Sequence, residues 1–250
     1  MTSDDPEGDA SESEQPDSLM SRLYERWQPP PAHLLTPDRL ERRRLAEAMR
    51  VVIERLIATG APDQFVIEAA DELERIAARF ADIPHDPTYE GYRETANVGA
   101  DLHASFEFSP FIGRANPLSP PMTLEDRGDE VHGFVCFGSA YEGPPGCVHG
   151  GYVAAAFDEL LGATQSLSGA PGMTGTLTVK YRSPTPLHRD LEMVGRIVDI
   201  SGRKILTRGT VHVGDRLCAE AEGLFISIDA SVFLRLKEER ERRGTISGGD

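Results

Sequence analysis

Apolar residues recur along this chain with two periods, and the change from one to the other divides it. Between residues 36 and 82 they come at three- and four-residue steps. Leu45, Met49, Val52 and Leu56 make one stripe, and Val66, Ala69, Leu73, Ile76 and Phe80 make a second. Such steps bring side chains to one face of an α-helix. Thr36-Pro37-Asp38 offers an N-cap followed by proline in the first turn, Gly60 a stop, and Pro62-Asp63 a restart. The spacing predicts two amphipathic helices joined by Thr59-Gly60-Ala61-Pro62 as a helical hairpin, suited to packing on the main domain or on a partner chain. Nothing in it carries chemistry.

From about residue 176 onward the period falls to two. Leu177, Val179 and Tyr181 alternate with Thr176, Thr178 and Lys180. Further runs at 191–200, 205–213 and 217–228 are separated by Ser201-Gly202 and Gly214-Asp215, which read as hairpin turns. Upstream, strand character begins near Ala104–Phe108, residues 116–128 with Pro117, Pro120 and Pro121 read as a loop, and Val131–Phe137 is a β-type run. Between the two β regions Val153, Ala156, Phe157, Leu160 and Leu161 return to helical spacing. One helix followed by an antiparallel meander implies an α+β domain whose sheet wraps a helix. The predicted organisation is an acidic, Pro-rich disordered tail (1–35), the helical hairpin (36–82), a linker, the α+β domain (95–229), and a charged C-terminal helix with a frayed end (230–250).

Charge sharpens the picture of the tail. The formal net charge is −15 over 250 residues, and Asp4, Asp5, Glu7, Asp9, Glu12, Glu14 and Asp17 precede the first Lys or Arg. A segment this acidic and this poor in apolar residues cannot bury a core. An acidic chain without a basic patch argues against nucleic acid as a partner. No apolar run reaches the roughly 20 residues of a membrane span, and no secretory leader is visible. Cys136, Cys147 and Cys218 fit neither a disulfide framework nor a zinc spacing, and the histidines show no paired spacing, so neither metal nor cofactor is expected and the compartment reads as cytoplasmic.

The candidate chemistry lies in Glu142-Gly-Pro-Pro-Gly-Cys-Val-His149-Gly150-Gly151, which leads into the Ala-rich helix bearing Asp158. Glycines let a ligand's carbonyl approach the backbone closely. A helix starting there presents free N–H groups to an electronegative oxygen. Asp is a poor interior helix residue because its side chain competes for backbone hydrogen bonds. Taken separately, His-Gly-Gly could be a tight strand-to-helix turn and Asp158 a solvated neighbour of Glu159. Together they put an oxyanion-type donor, a His and a carboxylate on one short element.

These residues carry a resemblance. Gly143-Pro-Pro-Gly146, His149-Gly150-Gly151, Asp158 nine positions after His149, the run Met173–Leu187 with its Tyr181-Arg-Ser-Pro184, and Ser201-Gly202-Arg203-Lys204 resemble the hotdog-fold acyl-CoA thioesterases of the PaaI type. The likeness is closest to the branch that includes the carboxy-terminal modulator protein. It implies a hotdog fold, an antiparallel sheet wrapped around a central helix, here with an N-terminal helical extension outside the family pattern. It further implies hydrolysis of acyl-CoA. Asp158 matches the carboxylate that activates water or attacks the thioester, Thr174 the residue that orients them, and Gly150 the backbone donor to the thioester carbonyl. His149 matches a positioning residue beside that donor, and Gly151 adjoins it. Arg182, Arg203 and Lys204 could meet CoA phosphates, with ordinary solvated charge as the equal alternative. Some relatives carry Asn or Gln six residues before the His; here that position is Gly143.

Two other readings share the fold: a non-catalytic acyl-CoA sensor, and an enoyl-CoA hydratase or dehydratase. A geometric expectation accompanies the thioesterase reading. Gly150 and Asp158 are eight residues apart, roughly 12 Å along one helix axis at 1.5 Å per residue. One straight helix cannot bring both to a single thioester, so a site shared across a homodimer, or a dimer of dimers, is expected.

Overall fold

The computed structural model describes residues 35–83, 106–170 and 172–228. The acidic tail, most of the linker, and the expected C-terminal helix lie outside the described residues.

Helix α1 (Pro37–Ile57) begins as its sequence dictates, with the Thr36 side chain accepting the Arg39 N–H and Pro37 in the first turn. It ends at Ala58, two residues before Gly60. Helix α2 (Asp63–Ala81) restarts after Pro62. Both helices stand where the periodicity puts them, but their apolar stripes do not close on each other. α1 instead lies on the body through the opposite face. Arg43 makes a two-pronged ion pair with Glu107, Arg50 donates to the Asn116 carbonyl at 2.9 Å, and Ala46 is buried between them.

Two expectations upstream of the sheet are corrected. Residues 106–108 form a turn and not a strand, since Ser109 N–H closes onto the Phe106 carbonyl and the Glu107 carbonyl accepts from Ala115. Phe106 lines a cleft and Glu107 between the two rings is buried, so the alternation there does not come from strand pairing. Within the expected loop 116–128, β1 (Thr123–Asp126) forms just beyond the prolines and pairs with β2 (Glu130–Val135). Gly128, at φ +92°, makes the turn between them possible.

A short 3-10 turn (Ser139–Tyr141) precedes α3 (Gly150–Ser166). Then come β3 (Gly172–Tyr181), β4 (Leu191–Ser201), β5 (Lys204–Val213) and β6 (Arg216–Ser227). The six strands form one antiparallel sheet in the order β1-β2-β4-β5-β6-β3, so β3 leaves the helix for the far edge. α3 packs its Val153, Phe157, Leu160 and Leu161 face onto the middle of the sheet, where Met193, Ile205, Val211 and Phe225 complete the core. This is the hotdog arrangement the sequence predicts.

The helix comes close because the sheet floor is nearly bare. Pairing aligns Val131, Gly195, Gly209 and Ala221 across β2, β4, β5 and β6. A Cβ on Gly195 would lie well inside contact distance of Thr164 Oγ1, and one on Gly209 would sit 3.1 Å from Leu161. Thr164 is fully buried with its hydroxyl donating back to the Leu160 carbonyl. Gly195→Ala should therefore lift α3 and cost about 1–3 kcal/mol, the usual range for overpacking. Urea denaturation should show it, with part of the loss recovered when Thr164→Ala is added.

Candidate functional site

The segment entering α3 is folded by its own small residues. Gly146, at φ +73°, closes the Gly-Pro-Pro-Gly turn, and its N–H donates to Glu142 Oε1 at 2.6 Å. Gly143 N–H donates to the Cys147 carbonyl and His149 N–H to the Tyr141 carbonyl. A Cβ on Gly143 would sit 2.7 Å from His149 Cα. That answers the departure at this position: no side chain fits there, so no amide group from residue 143 can assist a carbonyl.

His149 is the N-cap of α3. Its Nδ1 accepts the Gly151 N–H at 3.0 Å, which places the ring proton of the neutral imidazole on Nε2. The Gly151 donor, expected to face substrate, is therefore engaged by His149. Tyr152 and Val153 donate to the His149 carbonyl. Of the first-turn donors this leaves the Gly150 N–H, which among the described residues has no partner. Its own carbonyl is held by Tyr181 Oη, donating at 2.7 Å from the end of β3. A Cβ on Gly150 would press on that phenol at 3.2 Å.

Around this corner the aromatic rings pack edge to face, Tyr141 on Phe137 at 5.3 Å and on Tyr152 at 4.9 Å between centroids. Burial, with Tyr152 beside it, pushes the Tyr141 phenol up to about 12, and its hydroxyl donates to the Leu118 carbonyl. The α1 helix reaches the same corner: Glu54 accepts the Ser139 N–H at 2.7 Å and its hydroxyl at 2.8 Å, with His188 3.1 Å from that hydroxyl.

The carboxylate sits farther along the helix. Asp158 Oδ1 accepts the Thr174 hydroxyl at 2.8 Å. A bulge makes this possible. Tyr181, Val179 and Leu177 pair with Ala219, Ala221 and Gly223, and so face the helix. Strict alternation would continue to Gly175 and Met173. The register shift between Thr174 and Thr176 brings Thr174 opposite the buried Phe225, turning it to the helix side. Asp158 and Thr174 open onto a cleft of about 430 Å³ whose walls include Phe106, Gly162, Met173 and Phe225. Gly162 is one turn beyond Asp158, and a Cβ there would meet nothing within 4 Å, so packing does not require the glycine. In the single chain Asp158 is exposed.

Asp158 and Thr174 are thus brought together, as are His149, Gly150 and Gly151, but the two groups stand at different points along one helix. The basic candidates do not join either. Arg182 is paired with Glu220, and Arg203 donates to the Ser227 carbonyl at 3.0 Å. Lys204 pairs in register with Ile226 and lies on the sheet face away from α3. Tyr181, Glu54 and Ser139 were not singled out as site residues. Tyr181 lay within the quoted Tyr-x-x-Pro run, while only the three-dimensional contact marks Glu54 and Ser139. Among the described residues no group of three or more His, Cys, Asp or Glu is placed to hold a metal ion, and no helix is long and apolar enough to cross a membrane.

Comparisons with known proteins converge on one family. Residues 145–220 match the model of the thioesterase superfamily. The chain is 37% identical over 93 residues to acyl-coenzyme A thioesterase THEM4 of Xenopus laevis, covering 36% of this chain and 42% of that one. It is 31% identical over 104 residues to acyl-coenzyme A thioesterase THEM5 of Homo sapiens, covering 42% and 40%. The chain thus spans less than half the length of these curated relatives. A crystal structure described as a thioesterase superfamily protein superposes with a TM-score of 0.64 at 31% identity, over 74% of this chain and 90% of that one.

The turn geometry yields a direct test. Gly143→Ala should displace His149 and with it the first turn of α3, lowering the thermal midpoint by several degrees, about 1–3 kcal/mol of strain. Gly162→Ala, placed in open space inside α3, should raise the midpoint by about 1–4 °C, since Ala is the better helix former by about 0.5–1 kcal/mol.

Proposed function

We propose that this chain, which belongs to the thioesterase superfamily, hydrolyses acyl-CoA thioesters to the free acid and CoA. The observation that carries the reading is the Asp158–Thr174 hydrogen bond at the mouth of the cleft, on the helix whose first N–H has no partner among the described residues. The relatives named above as acyl-coenzyme A thioesterases supply the substrate class.

In this mechanism the Gly150 N–H, at the positive end of the α3 dipole, polarises the thioester carbonyl and stabilises the oxyanion formed on attack. Such a donor contributes about 3–4 kcal/mol to a transition state. Asp158 supplies the attacking oxygen, either by taking a proton from water or by adding its own carboxylate to the carbonyl carbon. Thr174 fixes the carboxylate's rotamer by its donated hydrogen bond. Collapse of the tetrahedral intermediate breaks the C–S bond, and the CoA thiolate leaves and takes up a proton; on the carboxylate route water then cleaves the acyl–Asp158 anhydride, releasing the acid and restoring the carboxylate. His149 positions the donor as helix cap. Residues 95–229 form the catalytic domain in this reading, and Arg203 and Lys204 serve the CoA phosphates only if the nucleotide crosses to the outer face of the sheet.

The site is shared between two chains. Among the described residues β3 pairs with β6 on one side only, and its other edge is open and mostly exposed. It carries Thr174, beside Asp158, near one end and Tyr181, beside Gly150, at the other. Two β3 strands paired antiparallel about Leu177 or Thr178 would bring the Thr174–Asp158 end of one protomer to the Tyr181–Gly150 end of its partner. A two-fold axis then yields two sites.

Asp158→Asn should retain fold and acyl-CoA binding while losing about 10²–10⁴-fold in turnover, measured as free thiol release. Near-normal turnover would refute the assignment, binding without thiol release by the parent protein would indicate a sensor, and hydration of an enoyl-CoA would indicate the other enzyme class. For the shared site, Asp158→Asn and Gly150→Pro chains, each shown to fold, are refolded together and the mixed dimer isolated. One of its two sites should be free of lesions, restoring about half of the parent activity. Background activity in the mixed dimer would mean that each site lies within one chain.

A further inference from the structure

Helices α1 and α2 carry more ordered apolar surface than the described residues cover. Leu45, Met49, Val52 and Leu56 on α1 advance by four, three and four residues. Val66, Ala69, Leu73, Ile76 and Phe80 on α2 advance by three, four, three and four. These rows form a seam with the 3–4 spacing by which one helix packs on another, widened on α2 by the exposed Phe65. Yet α1 turns its seam outward. Its body side is Arg43, Ala46, Arg50 and Glu54, while Leu45, Met49 and Val52 are 42–43% exposed and Leu56 63%. α2 buries no residue at all, with Leu73 and Ile76 at 44% and Phe80 at 55%. A helix of 19 residues with such a seam gains most of its stability from packing, so in isolation it is marginal.

We propose that α2 of each chain docks on the outward seam of α1 of a second copy, so that the N-terminal arms brace two protomers together. Four observations on the helices select that occupant. The seams have the same spacing and comparable length, about 16 Å on α1 and about 21 Å on α2 at 1.5 Å per residue. Their charges are complementary: α1 carries six arginines against four acids, and α2 five acids against two arginines. The two seams of one chain do not bury each other, although only residues 58–62 separate the helices. The acidic character of α2 disfavours an anionic lipid surface. The contact is separate from the β3 edge and involves none of the residues assigned to thioester chemistry.

The test uses the full chain with Cys136→Ser and Cys147→Ser, leaving only the buried Cys218. One version carries Val52→Cys and a differently tagged version carries Leu73→Cys, both at exposed positions. Co-expression and mild oxidation should give a disulfide-linked species bearing both tags, and adding Ile76→Glu to the second chain should abolish it. In the unmodified protein the α2 amides should be protected from hydrogen exchange and lose that protection on dilution. Three results would overturn the proposal. One is a disulfide that forms within single chains of a third version carrying both new cysteines, with no link between the two tagged versions. Another is unprotected α2 amides with no linked species. The third is concentration-independent protection without linkage, which would mean that another segment such as 229–250 covers the seam.

Discussion

The sheet admits α3 because three neighbouring strands offer almost no side chain where the helix crosses them. Gly195 and Gly209 leave the β4 and β5 floor bare, and Ala221 continues it on β6. The resulting approach is tight enough that the Thr164 hydroxyl occupies the space a Cβ on residue 195 would need. That height decides what the edge strand can touch. With α3 held low, two side chains of β3 reach helix groups directly: Thr174 to the Asp158 carboxylate and Tyr181 to the Gly150 carbonyl. A helix raised by one methyl group would loosen both contacts together, since both depend on the same spacing.

The arm obeys a different rule from the domain it lies on. α1 meets the body through arginines, a glutamate and the small Ala46, and the larger apolar residues of its stripe point away. Glu107 is 4% exposed and depends on Arg43 for its charge to be tolerated there. An interface of this sort is specific in geometry but weak as a source of stability, since hydrophobic isosteres of such pairs often do as well. It fixes where the arm lies more than how firmly it holds.

Much of this was legible in the residues. Periodicity located α1, α2, α3 and the four long strands within a few positions, because each of them has one face in a core or an uninterrupted stripe. What escaped was local. A bulge cannot be read from alternation, and alternation would have aimed Gly175 and Met173, not Thr174, at the helix. β1 was hidden behind three prolines that end before it begins. The Phe106–Phe108 alternation suggested a strand, but Glu107 is anchored by an arginine 64 residues earlier and the chain turns there. Gly151 stands in the first turn of α3, but its N–H points to the His149 ring, a contact its place in the sequence does not disclose. Arg182 found its partner in Glu220 across the strand pair, a contact set by register that no spacing along the chain discloses. The sequence showed that α1 is amphipathic without showing which face would meet the body.

Gly150 offers a peptide N–H and no side chain, and Tyr181 holds that peptide group from its carbonyl side. A main-chain donor does not titrate anywhere in the range a protein survives. Its direction is set by the first turn of the helix and the tyrosine, not by a rotamer. Any pH response of this corner must therefore come from neighbouring side chains, and ordinary residue exchange at position 150 alters its shape while leaving the donor in place. Only an imino acid at position 150 erases the donor itself; every other replacement, there or at Tyr181 or Gly143, acts through the geometry that aims it.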